Sequence, residues 1–272
     1  MKKFISEIFL PLLFVYIALI AVIFLSQRSL IYFPQPAITD KIAKNILPEG
    51  EIIRVITEDK LKLKAYVSPP QDTTKPIILA FHGNASLALY MAQAFQPFIK
   101  EGYGVLFAEY RGYNGNEGSP TELGLYQDAD AYLEYILNRF SKHKIIAYGQ
   151  SLGSAVAVDI VHRNQQNFSG LILEVPFDSA LSVAKKAYPF IPFKNFLLKD
   201  KYESDKKISD IRIPKLFLVA GQDSVVGRDS GQRLYDLAPS PKTIYINSNS
   251  GHNDILNRDV INRILIFLSE YK

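Results

Sequence analysis

The five residues Gly149-Gln150-Ser151-Leu152-Gly153 are the best candidates in this chain for nucleophilic chemistry. They follow an apolar, strand-like run (Lys144 to Tyr148) and open a helix-like one (Ser154 to Val161). Strand, then G-x-S-x-G, then helix is the context in which the pattern forms a nucleophile elbow. A serine on so tight a turn sits in a strained backbone conformation, and its neighbours two positions away must lack bulk. Gly149 and Gly153 meet that need, and the helix start places its free N–H groups beneath the Ser151 hydroxyl.

A hydroxyl is a weak nucleophile near neutral pH, so Ser151 needs a base, an acid to orient that base, and donors for the oxyanion. The chain has four histidines. His143 lies in a polar approach to a strand and reads as a solvated loop residue. His162 falls about three turns along the helix that Ser151 opens, roughly 16 Å away. His82 ends the strand-like run Pro76 to Phe81 and reads as a structural residue that pins its own loop. His252, in Ser250-Gly251-His252-Asn253-Asp254, remains as the base, downstream of the serine as the order Ser…Asp…His requires. For the acid, Asp223 follows the strand Lys215 to Ala220 and would accept the Nδ1–H of His252. Asp178 follows another strand and is its rival, while Asp254 reads as a cap for the last helix. The oxyanion donors are expected at the backbone N–H of Leu152 and in the loop His82-Gly83-Asn84, at Asn84, with Ala85 as the neighbouring alternative. This chemistry calls for no metal and no cofactor.

Several further motifs fall in the same order as these. They are Leu30-Ile31-Tyr32-Phe33-Pro34, Phe81-His82-Gly83-Asn84-Ala85, Glu109-Tyr110-Arg111-Gly112-Tyr113, Leu173-Glu174-Val175-Pro176-Phe177, Gly221-Gln222-Asp223 and Gly251-His252-Asn253-Asp254. With the elbow they span nearly the whole chain beyond its apolar start, and together they resemble the α/β-hydrolase superfamily. The resemblance is to its membrane-anchored branch with the His-Gly-Asn motif, the alpha/beta hydrolase domain-containing proteins and their bacterial relatives. It implies Ser151, Asp223 and His252 as the triad. Ser154 replaces a second glycine common in that branch, and Asn114 interrupts the glycine spacing after Tyr113. The N-terminal cysteine cluster through which some animal relatives are acylated is missing, so the resemblance does not carry their protein-depalmitoylating role directly to this chain.

The elements that must position these residues alternate along the chain. Residues 51–57 and 60–67 read as a hairpin, followed by strands at 77–82, 104–109, 144–149, 170–174, 215–220 and 243–247. Helices near 86–100, 121–140, 152–166, 229–238 and 254–270 separate them. That order implies a doubly wound, mostly parallel α/β sheet with the site at the carboxyl ends of its strands. About 40 residues separate the strand ending at Glu174 from the one beginning at Lys215, more than a crossover needs. The aromatics and prolines of Tyr188 to Leu198 suggest a small cap at about 178–210, or else a helix pair packed on the sheet.

Ile8 to Leu25 is an uncharged run of 18 residues, at the lower limit for a spanning helix. Lys2 and Lys3 precede it and Arg28 follows. No small-residue cleavage site ends the run, so it reads as an uncleaved anchor over 1–28, before a catalytic domain over 29–272. The charge balance favours a cytoplasmic N-terminus and an extracytoplasmic catalytic domain, periplasmic in a bacterium. Net charge is +4 with dispersed basic residues, so no nucleic-acid partner is indicated. Absence of cysteine excludes disulfides and thiol catalysis. The expectation is a membrane-anchored serine hydrolase acting on carboxylic esters or thioesters, with lipid-like acyl substrates. The alternative is a noncatalytic tethered binding or scaffolding protein on the same fold.

Overall fold

A computed structural model describes residues 5–271; Lys2 and Lys3, on which the orientation expectation rests, lie outside the described residues. Eight strands form one sheet: β1 (Glu51–Ile56), β2 (Lys62–Ser68), β3 (Ile77–Phe81), β4 (Gly104–Ala108), β5 (Ile145–Gln150), β6 (Phe168–Glu174), β7 (Lys215–Ala220) and β8 (Lys242–Asn247). Their spatial order is β1-β2-β4-β3-β5-β6-β7-β8. β2 runs antiparallel to β1 and β4, and every pairing from β4 to β8 is parallel. β3, β4 and β7 are buried along their whole length, as parallel strands covered on both faces must be.

The chain leaves β3 toward one edge of the sheet and returns at β5 to wind toward the other. The reversal therefore lies between β3 and β5, where doubly wound sheets bind their ligands. One face is covered by α1 (Glu122–Arg139), α2 (Leu152–Arg163) and α3 (Arg228–Leu237), through residues such as Leu125, Tyr132, Val156, Ile160 and Leu234. The other is covered by Ala88–Ala94, Gln96–Lys100 and α4 (Arg258–Ser269), through Leu89, Phe95, Phe98, Val260 and Ile264.

The helix expected over 86–100 is two pieces joined at Phe95, because Pro97 opens the second and has no N–H to continue the first. The final helix starts at Arg258 rather than 254, because the Asn257 side chain accepts from the Val260 N–H at 3.0 Å and caps it there. A short helix at Asp40–Ile46, capped by Thr39, was not legible in the pattern. The long connection between β6 and β7 holds three short helices, Ala180–Ala187, Lys194–Leu197 and Ser204–Lys207.

The apolar helix runs over Glu7–Ile31, 25 residues long and apolar enough to cross a membrane. At the usual rise it measures about 37 Å, against about 30 Å for a hydrocarbon core. Its last turns are docked on the domain. Gln27 Nε2 donates to the Leu197 carbonyl at 3.1 Å, and Gln27 Oε1 accepts from the Lys199 N–H at 2.8 Å. Arg28 Nε lies 3.0 Å from Asp200 Oδ2, and the hydroxyls of Tyr32 and Tyr202 are 2.7 Å apart.

Candidate active site

Four strand ends deliver the site. Ser151 follows β5, the His82-Gly83-Asn84 loop follows β3, Asp223 follows β7 and His252 follows β8. Ser151 has φ +50° and ψ −116°, a region that side-chain-bearing residues rarely occupy and that costs about 1–3 kcal/mol. Both flanking glycines are required by close approach. A Cβ on Gly149 would stand 2.3 Å from the Gly153 carbonyl oxygen, and one on Gly153 would stand 2.2 Å from that of Phe81. The Ser151 N–H donates to the Glu174 carbonyl at 2.9 Å, which ties the strained turn to β6.

Ser151 Oγ lies 2.9 Å from His252 Nε2, across 101 residues of chain, and His252 Nδ1 lies 2.8 Å from Asp223 Oδ2. The other Asp223 oxygen accepts the N–H groups of Val225, Val226 and Gly227 at 2.9, 2.9 and 3.3 Å. Burial alone would raise the Asp223 pKa. The hydrogen bond and charge of His252, with the backbone donors of Val226 and Val225, outweigh it and hold the carboxyl below its ordinary value. An ionised Asp223 aimed at Nδ1 keeps the proton there and leaves Nε2 free to accept from the serine.

The structure separates the rivals. Asp178 is buried, but its Oδ1 accepts from the Ser179 N–H and the Ser230 hydroxyl, both at 2.8 Å, and from the Ser182 hydroxyl. It is committed to the start of the β6–β7 connection and makes no hydrogen bond to His252. Asp254 does not cap the last helix, contrary to expectation. Its Oδ1 accepts from the Gly251 N–H at 2.6 Å and closes the loop that carries His252. His82 is fully buried, with Nδ1 2.7 Å from the Gly83 carbonyl oxygen and Nε2 2.9 Å from Glu109 Oε1. Its ring nitrogens face the carbonyl of its own loop and the Glu109 carboxylate just after β4, so it is unavailable as a base.

In the loop after β3 the Ala85 N–H donates to Asn84 Oδ1 at 3.0 Å. Among the described residues, the N–H groups of Asn84 and Leu152 have no hydrogen-bond partner, and both residues line the cavity over Ser151. The Asn84 side chain has a part that sequence reasoning missed. Its Oδ1 also accepts from the Phe33 N–H at 3.0 Å and the Tyr113 hydroxyl at 2.7 Å, and its Nδ2 donates to the Ile31 carbonyl at 2.5 Å. Gln150, the variable residue inside the elbow, was also missed. It accepts from the Gly83 N–H at 3.3 Å and donates to Glu174 Oε1 at 3.0 Å, linking the β3 loop to the end of β6. Burial pushes the Glu174 carboxyl above its ordinary value, although Tyr148 and Gln150 both hydrogen-bond to it.

A cavity of about 380 Å³ lies over the serine, within the range of about 300–1,000 Å³ typical of small-molecule sites. Its floor holds Ser151, Leu152 and Asn84, and its walls are almost wholly apolar, including Phe24, Val183 and Val226. The arrangement can activate a hydroxyl and receive an apolar group beside two backbone N–H groups that have no partner among the described residues. Among the described residues no cluster of His, Cys, Asp and Glu is suited to a metal ion.

Residues 72–199 match the family described as serine aminopeptidase, S33. An uncharacterized protein of Mycobacterium tuberculosis is 34% identical over 257 residues, which cover 92% of this chain and 90% of that one. The zebrafish (Danio rerio) lysophosphatidylserine lipase ABHD12 is 32% identical over 189 residues, covering 63% of this chain and 50% of that protein. Among solved structures, the esterase Pf2001 of Pyrococcus furiosus superposes with a TM-score of 0.71 at 18% identity, covering 89% of this chain and 98% of the esterase.

Proposed function

Because this chain belongs to the alpha/beta hydrolase superfamily, we propose that it is a membrane-anchored serine hydrolase cleaving carboxylic esters or thioesters with an apolar acyl group. One observation carries the reading: a serine hydroxyl on a strained elbow, 2.9 Å from an imidazole whose far nitrogen is 2.8 Å from a carboxylate. Ser151 Oγ attacks the acyl carbon while His252 Nε2 takes its proton. Asp223 holds the imidazole in place and stabilises the cation that forms. The N–H groups of Asn84 and Leu152 receive the oxyanion. His252 returns the proton to the leaving alcohol or thiol, and water repeats the sequence on the acyl-enzyme. The apolar cavity suits the acyl group of such a substrate, and the names of the esterase and lipase relatives agree with that class.

In this reading residues 1–28 form the anchor, and residues 29–272 form the catalytic domain, held outside the cytoplasm, with a small cap at about 178–210. Replacing Ser151 with Ala is expected to abolish both fluorophosphonate labelling and ester turnover. Wild-type turnover of p-nitrophenyl esters by that variant would overturn the assignment. A wild-type protein that turns over no ester, and binds lipid vesicles equally well with Ser151 replaced, would favour instead a tethered binding protein.

A further inference from the structure

The cavity over Ser151 is not built by the hydrolase domain alone. The apolar N-terminal helix supplies part of its wall through Ile20, Ile23, Phe24 and Leu30, facing Val183 and Ile191 from the β6–β7 connection. The two walls are fastened at both ends. Gln27 grips Leu197 and Lys199, and eleven residues earlier the Tyr16 hydroxyl donates to the Phe190 carbonyl at 3.0 Å. Eleven residues of helix rise about 16 Å, roughly half of a hydrocarbon core. The first charged residue after the apolar run is Arg28, paired with Asp200, which places the membrane boundary near Gln27 and Arg28. Residues 188–198 therefore climb beside the helix from that boundary to about the middle of the bilayer.

Their composition fits that depth. Phe190, Phe193 and Phe196 are 58%, 75% and 86% exposed, without protein cover. An irregular segment tolerates lipid only if its backbone polar groups are satisfied. Pro189 and Pro192 carry no N–H. The Tyr188 carbonyl accepts from the Ile191 N–H, and the Phe193 carbonyl from the N–H groups of Phe196 and Leu197. The Phe190 carbonyl is taken by Tyr16, and the Leu197 carbonyl by Gln27. The Lys194 ammonium folds back on the Ile191 carbonyl at 2.5 Å and the Pro189 carbonyl at 3.5 Å.

Taking Ser151 as the nucleophile and the helix as a membrane anchor, we propose that residues 188–198 insert with the anchor into one leaflet. The acyl chain of a membrane lipid ester then enters the cavity sideways from the bilayer, between Ile23 and Val183, and reaches Ser151 without crossing water. The anchor thereby serves as a wall of the acyl site as well as a tether.

The natural chain contains no tryptophan, so a single introduced indole reports depth. In full-length protein reconstituted into phosphatidylcholine vesicles brominated on their acyl chains, Phe190→Trp fluorescence is expected to be quenched at least twofold relative to unbrominated vesicles. Leu237→Trp is expected to be unaffected, since Leu237 ends the helix after β7 and lies toward the opposite end of the sheet. Unquenched, water-exposed emission from Phe190→Trp overturns the insertion, and equal quenching of both reporters overturns it too. In a separate variant, Ile23→Trp should lower the ratio of palmitoyl to acetyl ester turnover at least tenfold, and an unchanged ratio overturns the lateral route. The fluorescence experiment needs no activity, so it decides the insertion even if Ile23→Trp does not fold. Failure of the serine hydrolase reading would show separately, as turnover persisting in Ser151→Ala.

Discussion

Asn84 offers a way to test the proposed oxyanion loop, whose proposed donors are backbone groups that substitution cannot remove. Its side chain makes four hydrogen bonds, to the N–H groups of Phe33 and Ala85, the Tyr113 hydroxyl and the Ile31 carbonyl. Each is worth about 0.5–1.5 kcal/mol net, but bonds sharing one side chain do not add fully, so Asn84→Ala should cost about 2–3 kcal/mol of stability. The catalytic cost has a different origin. Without those anchors the loop no longer holds the Asn84 N–H in the place proposed for an oxyanion donor, and loss of one oxyanion donor costs about 2.7–4 kcal/mol, or about 10²–10³ in kcat. Asn84→Asp keeps an acceptor for the three donors but sets an oxygen against the Ile31 carbonyl, so its loss should be smaller. The assay is kcat and KM on p-nitrophenyl butyrate, with thermal unfolding alongside. The expected result for Asn84→Ala is a fall in kcat at nearly constant KM. A kcat within about threefold of wild type, in a variant as stable as the parent, would refute the argument that this side chain holds the oxyanion loop.

Other substitutions probe the remaining parts. Gly153→Ala drives a methyl group to 2.2 Å from the Phe81 carbonyl oxygen, so the elbow must open; fluorophosphonate labelling should fall by at least about tenfold, measured by gel fluorescence. Asp223→Asn should lower kcat by about 10⁴, the scale seen when the acid of a serine protease triad becomes an amide. The same variant has a pH signature. Because the folded Asp223 pKa lies below the ordinary 3.8, its contribution to stability is present above that pH and is lost as pH falls through the folded value. Asp223→Asn should therefore show a shallower decline of Tm below about pH 4 than wild type, followed by calorimetry. Asp178→Asn should lower stability by about 1–3 kcal/mol through its broken contacts to Ser179, Ser182 and Ser230. Ser151 labelling should persist in that variant, and its loss to the extent seen in Asp223→Asn would make Asp178 the orienting acid.

The parts of this protein written locally in its sequence are those whose physics is local. The strands could be read from apolar runs, since a parallel strand buried on both faces must be apolar throughout. The elbow could be read because two glycines two residues either side of a serine answer a steric demand inside one turn. The length and lack of charge of the N-terminal run likewise announce a segment suited to a membrane. Other features depend on residues brought together from distant places, and no local pattern encodes those. That His252 reaches Ser151 across 101 residues, and that Asp223 faces its Nδ1 while Asp178 is engaged by Ser179, Ser182 and Ser230, follows from how the loops after β5, β6, β7 and β8 pack at one edge of the sheet. The motif leaves the type of Gln150 open, and its role comes from Gly83 and Glu174, which the fold places on either side of it. Asn84 suggested only a backbone donor, because the Phe33, Tyr113 and Ile31 groups that hold its side chain come from two other segments. The same reason hid the wall that the apolar helix adds to the cavity: hydrophobicity shows that a segment will leave water, and only packing decides what it will lie against.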